Sequence, residues 1–282
     1  MKIEISALTH VGKVRDNNED AFIFCPDLSR KEWFQKDATK TIDLGKCGTL
    51  VAVADGMGGA NCGEVASAIT IQTLEHRFSS CCLETVVESR DSMRAFIRET
   101  VHLANQAILA RVEQDAQTIG MGTTLVLVWM TDRYSVVAWC GDSRCYLYTR
   151  KQGLLRLSKD HSYVQELIDR HELTEEEAFD HPDSNLITRC LGDVDNSSEL
   201  DFVDFDFKEN MMLLLCSDGL CGYCDDEAIG AEVKNTYRQP EICRDNLLNL
   251  ALEAGGEDNI TILTVASECK KTSFIDFLKG LF

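Results

Sequence analysis

Four aspartates stand at the ends of apolar, strand-like runs. Asp55 follows Leu50-Val51-Ala52-Val53-Ala54, and Asp142 follows Val136-Val137-Ala138-Trp139-Cys140-Gly141. Asp218 follows Leu213-Leu214-Leu215-Cys216-Ser217, and Asp258 precedes Asn259-Ile260-Thr261-Ile262-Leu263. A fifth acidic spot, Glu19-Asp20, precedes Ala21-Phe22-Ile23-Phe24. A carboxylate held at the edge of a core is costly unless positive charge compensates it. Several converging carboxylates make an all-oxygen site for hard divalent cations. The chemistry that follows is metal-assisted hydrolysis.

The elements that must position these groups read as follows. Short apolar or alternating runs predict strands over 3–8, 20–25 and 49–54. The polar stretch from Pro26 to Lys46 reads as an extended hairpin or loop. Helices are predicted over 63–79 and 90–114, where Met93, Phe96, Ile97, Ala104, Ala107, Ile108 and Val112 recur at helical spacing. Strands follow over 123–130, 134–140 and 144–149. Two short helices are expected between Ser158 and Phe179, then strands near 186–190, 200–206 and 211–216. Helices near 225–235 and 240–254 precede a last strand near 259–266. Short turns between most strands favour antiparallel pairing, with helices covering a β core. There is no internal repeat or Pro-rich linker, and only three prolines occur in 282 residues. One domain over 1–267, with a short amphipathic tail over 268–282, is expected.

The apolar share of 44% suits a globular protein with a real core. A formal charge of −19 argues against nucleic acid as substrate, because phosphate backbones require a basic surface. It argues equally against docking on anionic lipid. Met1 to Ser6 reads as the start of a strand rather than a secretory signal, and no apolar run approaches the ~20 residues of a membrane span. Thirteen cysteines, an odd count scattered through apolar runs, read as reduced thiols in the cytoplasm. A monomer is expected.

Each acidic block alone also fits a blander reading. Asp55-Gly56 is a common hairpin turn, Asp142 and Asp218 fit turn or capping positions, and Glu19-Asp20 could simply be solvated. Taken in order, Arg15-Asp16-Asn17-Asn18-Glu19-Asp20, Ala54-Asp55-Gly56-Met57-Gly58-Gly59, Met121-Gly122-Thr123-Thr124, Gly141-Asp142-Ser143-Arg144, Cys216-Ser217-Asp218-Gly219-Leu220 and Glu257-Asp258-Asn259 resemble the motifs of the metal-dependent Ser/Thr protein phosphatases of the type 2C (PPM) family. The Asp-Gly-Met-Gly-Gly form is similar to the bacterial branch. Lys159-Asp160-His161-Ser162 and Thr188-Arg189-Cys190-Leu191-Gly192 also fit, so the resemblance spans residues 3–266.

The resemblance implies an α+β fold, a four-layer α-β-β-α sandwich of two antiparallel sheets flanked by helices. It implies that Asp55 bridges two Mn²⁺ or Mg²⁺ ions and that the Gly56 carbonyl ligates one. Glu19 and Asp20 would flank the pair, Asp218 and Asp258 would complete one ion's shell, and Asp142 with Asp218 would hold a third ion. Arg15 would clamp the substrate phosphate. A hydroxide bridging the ions would attack phosphorus in line, without a covalent enzyme intermediate. A guanidinium suits the clamp because it meets two phosphate oxygens at once. The implied substrates are phosphoserine and phosphothreonine proteins, including a cognate Ser/Thr kinase and its targets. A catalytically silent scaffold and a small-molecule phosphoesterase are the rival readings.

Some family members carry a histidine after the Asp-Gly pair as general acid; here Met57 stands there. Metal-bound water, His10, His161 or His181 are the candidates for that role. Residues 158–185 correspond to the variable flap beside the site. Cys221-Gly222-Tyr223-Cys224 has CxxC spacing without the second pair a zinc site needs, and redox chemistry is its other reading.

Overall fold

The computed structural model describes residues 1–58, 62–193 and 198–267. Its strands are β1 (Lys2–His10), β2 (Ala21–Cys25), β3 (Ala38–Asp43), β4 (Thr49–Ala54), β5 (Gly56–Met57), β6 (Gly122–Thr123), β7 (Leu125–Met130), β8 (Ser135–Cys140), β9 (Arg144–Thr149), β10 (Gly153–Arg156), β11 (Asp201–Phe205), β12 (Met211–Cys216) and β13 (Ile260–Ser267). Its helices are α1 (Gly63–Ser80), α2 (Leu83–Val86), α3 (Arg90–Gln114), α4 (Tyr163–Asp169), α5 (Glu175–Phe179), α6 (Asp218–Cys221), α7 (Asp226–Thr236) and α8 (Pro240–Glu253). None of the described helices is long and apolar enough to cross a membrane.

Two antiparallel sheets face each other. One has the order β10-β9-β12-β13-β1-β3 and the other β11-β8-β7-β4-β2. Side chains alternate across each strand, so every central strand feeds two apolar layers. Val51 and Val53 of β4 enter the layer between the sheets, with Ile5, Phe24, Val128, Leu213 and Val265. Leu50 and Ala52 point the other way, into a layer closed by Leu74 and Phe78 of α1 and Phe96 and Ile97 of α3. Across the molecule, Met212 and Leu214 of β12 meet Leu220, Ile229, Val233 and Leu247 of α6 to α8. The result is the expected α-β-β-α sandwich.

Strand register carries the acidic residues to one end of this sandwich. Ala21 pairs with Ala54, which sets Asp20 beside Asp55. Cys216 pairs with Arg144, which brings the turn holding Asp142 toward Asp218. His10 pairs with Ile260, which places the segment after β1 against Asp258 and Asn259.

Three expectations require correction. The segment 186–190 forms no strand; it makes only single bridges, Ser162 to Ile187 and, next to it, Thr123 to Leu191. The run 123–130 is broken at Thr124, which separates β6 from β7. The stretch Pro26 to Lys46 contains β3, an edge strand with no fully buried side chain and hence little apolar signal. The short edge strand β10 also lacked such a signal. The expected tail over 268–282 lies outside the described residues.

Phe78 carries the helix-side layer. It is fully buried, with edge-to-face contacts to Phe96 (5.0 Å) and Trp129 (4.9 Å) between ring centres. Phe78→Ala is expected to cost about 3–5 kcal/mol of unfolding free energy. Urea unfolding followed by tryptophan fluorescence measures it; a loss below ~1 kcal/mol would mean that the layer relaxes around the cavity.

Candidate metal centre

Asp20 is 9% exposed and sits just before β2. Its Oδ2 accepts from Ser217 Oγ at 2.7 Å, and Thr261 also hydrogen-bonds the carboxylate. Its Oδ1 is buried with no hydrogen-bond partner in the protein. Such an oxygen is expensive to leave in place unless a cation or water meets it.

Asp55 is tied to β6–β7. Its N–H donates to Thr124 Oγ1 at 3.1 Å, and its carbonyl accepts from Thr124 N–H and Thr123 Oγ1, each at 2.8 Å. Thr124 Oγ1 also bonds Ser143 Oγ at 2.7 Å, linking the Asp55 and Asp142 turns. Gly56 lies where a Cβ would come within 2.3 Å of the Gly63 carbonyl oxygen and 2.5 Å of that of Glu19. Only glycine lets the backbone pass there. Glu19 is held by Asn259, whose Oδ1 accepts the Glu19 N–H at 2.8 Å. The same Asn259 donates through Nδ2 to the Val11 and Asn17 carbonyls, at 3.0 and 2.9 Å. One amide thus pins the whole loop that carries Arg15, Glu19 and Asp20. Arg15 leaves this loop with its side chain 54% exposed and donates to Asp258 Oδ2 at 2.7 Å.

Electrostatics tie the group together. Asp55 is pushed well above the usual carboxylate range by desolvation, then by Asp218, Asp20 and Asp142. Desolvation and Asp218 do the same to Asp142. Asp218 is raised by desolvation and by Asp258. Glu19 is raised by desolvation and by Glu64. Asp55, Asp142 and Asp218 nevertheless keep part of their surface open to solvent, so the recess is accessible.

Glu19, Asp20, Asp55, Gly56, Asp142, Asp218 and Asp258 are therefore brought to one end of the sandwich, with Arg15 at its rim. Among the described residues, no three acidic, histidine or cysteine side chains already surround one point at ligating separations. The donor set, all oxygen with one orphaned buried atom, fits a hard divalent cation.

The histidines are placed differently. His10 Nδ1 accepts from Gly12 N–H at 2.9 Å, at the end of β1. His181 stays within the flap, with Nδ1 accepting from Asp183 N–H and its ring against Tyr163. His161 is buried with both ring nitrogens engaged, Nδ1 by Gly141 N–H and Nε2 by Asp201. Cys221 and Cys224 are free, buried thiols. A hydrogen bond with Cys216 and burial push Cys221 up, and burial pushes Cys224 to about 11, which disfavours the reactive thiolate.

Ser217, Thr124 and Asn259 were not singled out from sequence as functional. Their signal was position alone: each adjoins an acidic residue or lies within a motif block.

Burial raises the Asp20 carboxyl to about 7, despite hydrogen bonds from Ser217 and Thr261. An unfolded aspartate titrates near ~3.9. The folded state thus binds the proton more tightly, so the stability this proton supplies is present below about pH 4 and lost as pH rises toward 7. In chelator-treated protein, Asp20→Asn should lessen that fall, the remainder belonging to Asp55, Asp142 and Asp218. Thermal unfolding across this pH window checks it; parallel curves for the two proteins would refute the assignment.

The family model for protein phosphatase 2C matches residues 29–250. The serine/threonine phosphatase stp of Listeria monocytogenes is 36% identical over 216 residues, covering 77% of this chain and 83% of that protein. The structure of the S. agalactiae serine/threonine phosphatase superposes with a TM-score of 0.79 at 30% identity, over 94% of this chain and 100% of the other. The catalytic domain of the phosphatase PstP, in complex with two manganese ions, gives a TM-score of 0.71 at 30% identity, over 94% of this chain and 99% of the other. The fold, the ordered motif blocks and these likenesses agree: the chain belongs to the protein phosphatase 2C family.

Proposed function

We propose that the protein hydrolyses phosphoserine and phosphothreonine in proteins, using divalent ions held at the acidic end of the sandwich. The observation that carries this reading is the gathering of carboxylates at one end of the sandwich together with the unpartnered, buried Oδ1 of Asp20. Asp55 and the Gly56 carbonyl would hold two Mn²⁺ or Mg²⁺ ions, with Glu19, Asp20, Asp218 and Asp258 around them. Asp142, with Asp218, would hold a third. Such ions supply a nucleophile at neutral pH by lowering the pKa of bound water, and they neutralise phosphate charge.

The chain's own residues do the rest. Ser217, Thr261, Thr124 and Asn259 orient carboxylates or backbone through neutral hydrogen bonds, so the site keeps its negative charge for cations. Arg15, exposed at the rim, would exchange its bond to Asp258 for two phosphate oxygens of the substrate. The engagement of both His161 nitrogens and the bond of His181 within the flap favour a proton donor to the leaving alkoxide other than these two. Solvent in the open recess then supplies that proton. The substrates that fit are a cognate Ser/Thr kinase and its targets, in the cytoplasm.

Phosphate release from a phosphothreonine peptide tests the reading. Turnover should require Mn²⁺ or Mg²⁺, vanish with chelator, and fall to background in Asp218→Ala. Folded, metal-loaded protein that releases no phosphate would favour the scaffold reading, and preference for a nucleotide would favour the small-molecule one. Arg15→Ala should lower kcat/KM by roughly 10- to 100-fold, the worth of a hydrogen bond to a charged group. Arg15→Lys should recover only part of it, because an ammonium lacks the two-pronged geometry. Equal activity of all three proteins would remove Arg15 from the site.

A further inference from the structure

The turn that carries Asp142 has a backbone only glycine tolerates well. Gly141 has φ +106°, and a Cβ there would lie 2.6 Å from the Thr124 side chain. A glycine has more conformations to lose than any other residue, so such a turn needs an external restraint to stay aimed. Thr124 ties the far side of the turn through Ser143, and on Gly141 itself the restraint is His161, which grips it twice. The His161 N–H donates to the Gly141 carbonyl at 3.0 Å. The Gly141 N–H donates to His161 Nδ1 at 3.1 Å.

This second bond dictates the state of the ring. An N–H donor facing Nδ1 requires that nitrogen to be unprotonated, so the neutral imidazole carries its proton on Nε2. Nε2 lies 3.1 Å from Asp201 Oδ2, an acceptor suited to that proton. Arg189 sits 3.5 Å from Nε2 but also faces Asp201 Oδ1 at 3.6 Å, and the carboxylate is the partner its N–H can use. Trp139 stacks on the ring at 6.2 Å and donates its indole N–H to the Lys159 carbonyl at 2.7 Å. The Thr188 N–H donates to the His161 carbonyl at 2.7 Å, and Ser162 bridges to Ile187. Burial, at 7% exposure, also favours the neutral ring.

We propose that His161 is a positioning residue: its neutral imidazole, oriented by Asp201, accepts the Gly141 N–H and fixes the turn that presents Asp142, joining the base of the flap to the acidic centre. The link to catalysis rests on the metal-site reading above. The clasp itself does not, since it is made of backbone and side-chain bonds independent of any ion.

Two variants separate the arms of the ring. In His161→Asn the side-chain oxygen reaches the place of Nδ1, keeping the Gly141 bond and losing Asp201. In His161→Gln the amide reaches the place of Nε2, keeping Asp201 and losing Gly141. In the wild-type full chain, nitrogen NMR should show Nε2 protonated and Nδ1 bare, and the Gly141 amide should exchange slowly with solvent. His161→Gln should lose that protection, raise the Mn²⁺ concentration for half-maximal activity, and lower kcat by roughly 3- to 10-fold, the range of one net hydrogen bond. His161→Asn should stay nearer wild type on all three. Equal behaviour of the two variants, or a rapidly exchanging Gly141 amide in wild type, overturns the proposal even if a variant folds poorly. If wild type shows the clasp by NMR but no metal-dependent phosphatase activity, the functional reading fails and the clasp stands.

Discussion

Repulsion between like charges is the constraint on which this structure turns. Asp20, Asp55 and Asp142 stand close enough to Asp218 that it raises the proton affinity of each. Left to itself such a cluster would splay apart. It cannot, because each member sits beside a strand locked into a ladder: Ala21 against Ala54, Cys216 against Arg144, His10 against Ile260. The apolar layers on both faces of the sheets hold those ladders rigid. Burial of hydrocarbon thereby supports a concentration of negative charge that only a cation relieves.

The supports chosen for the carboxylates follow from the same constraint. An arginine or lysine within the cluster would orient an aspartate but also neutralise it. Ser217, Thr124 and Asn259 orient without neutralising. The charged side chain at the rim, Arg15, is exposed and paired to Asp258 from outside. A fully buried arginine would be costly to release, whereas this one can change partners in water.

Much of this was legible in the chain. The acidic residues announced themselves because a charged group interrupting an apolar run has few bland explanations when it recurs in order. The long helices α1 and α3 showed through their spacing. The two edge strands of the six-stranded sheet did not: β3 buries none of its side chains fully, and β10 is four residues long. The run 186–190 misled because its apolar residues serve single bridges at the flap rather than a ladder. Central strands covered on both faces read as continuous apolar runs, so period-two alternation could not reveal which side faced which layer. The double grip of His161 on Gly141 was invisible too, since no pattern in sequence pairs a histidine with a glycine twenty residues away.

The β1–β13 ladder carries a consequence for how the protein comes into being. Ile3 pairs with Ser267, and Arg15 and Glu19 find their partners at Asp258 and Asn259. During synthesis, β1 waits until the chain beyond Ile260 has been made before its central neighbour exists. Contacts so distant in sequence slow folding, because loop closure must precede the reward. The acidic centre straddles that same seam, so a nascent chain lacks it until β13 emerges and the six-stranded sheet closes. Chemistry is thereby withheld from partly made molecules.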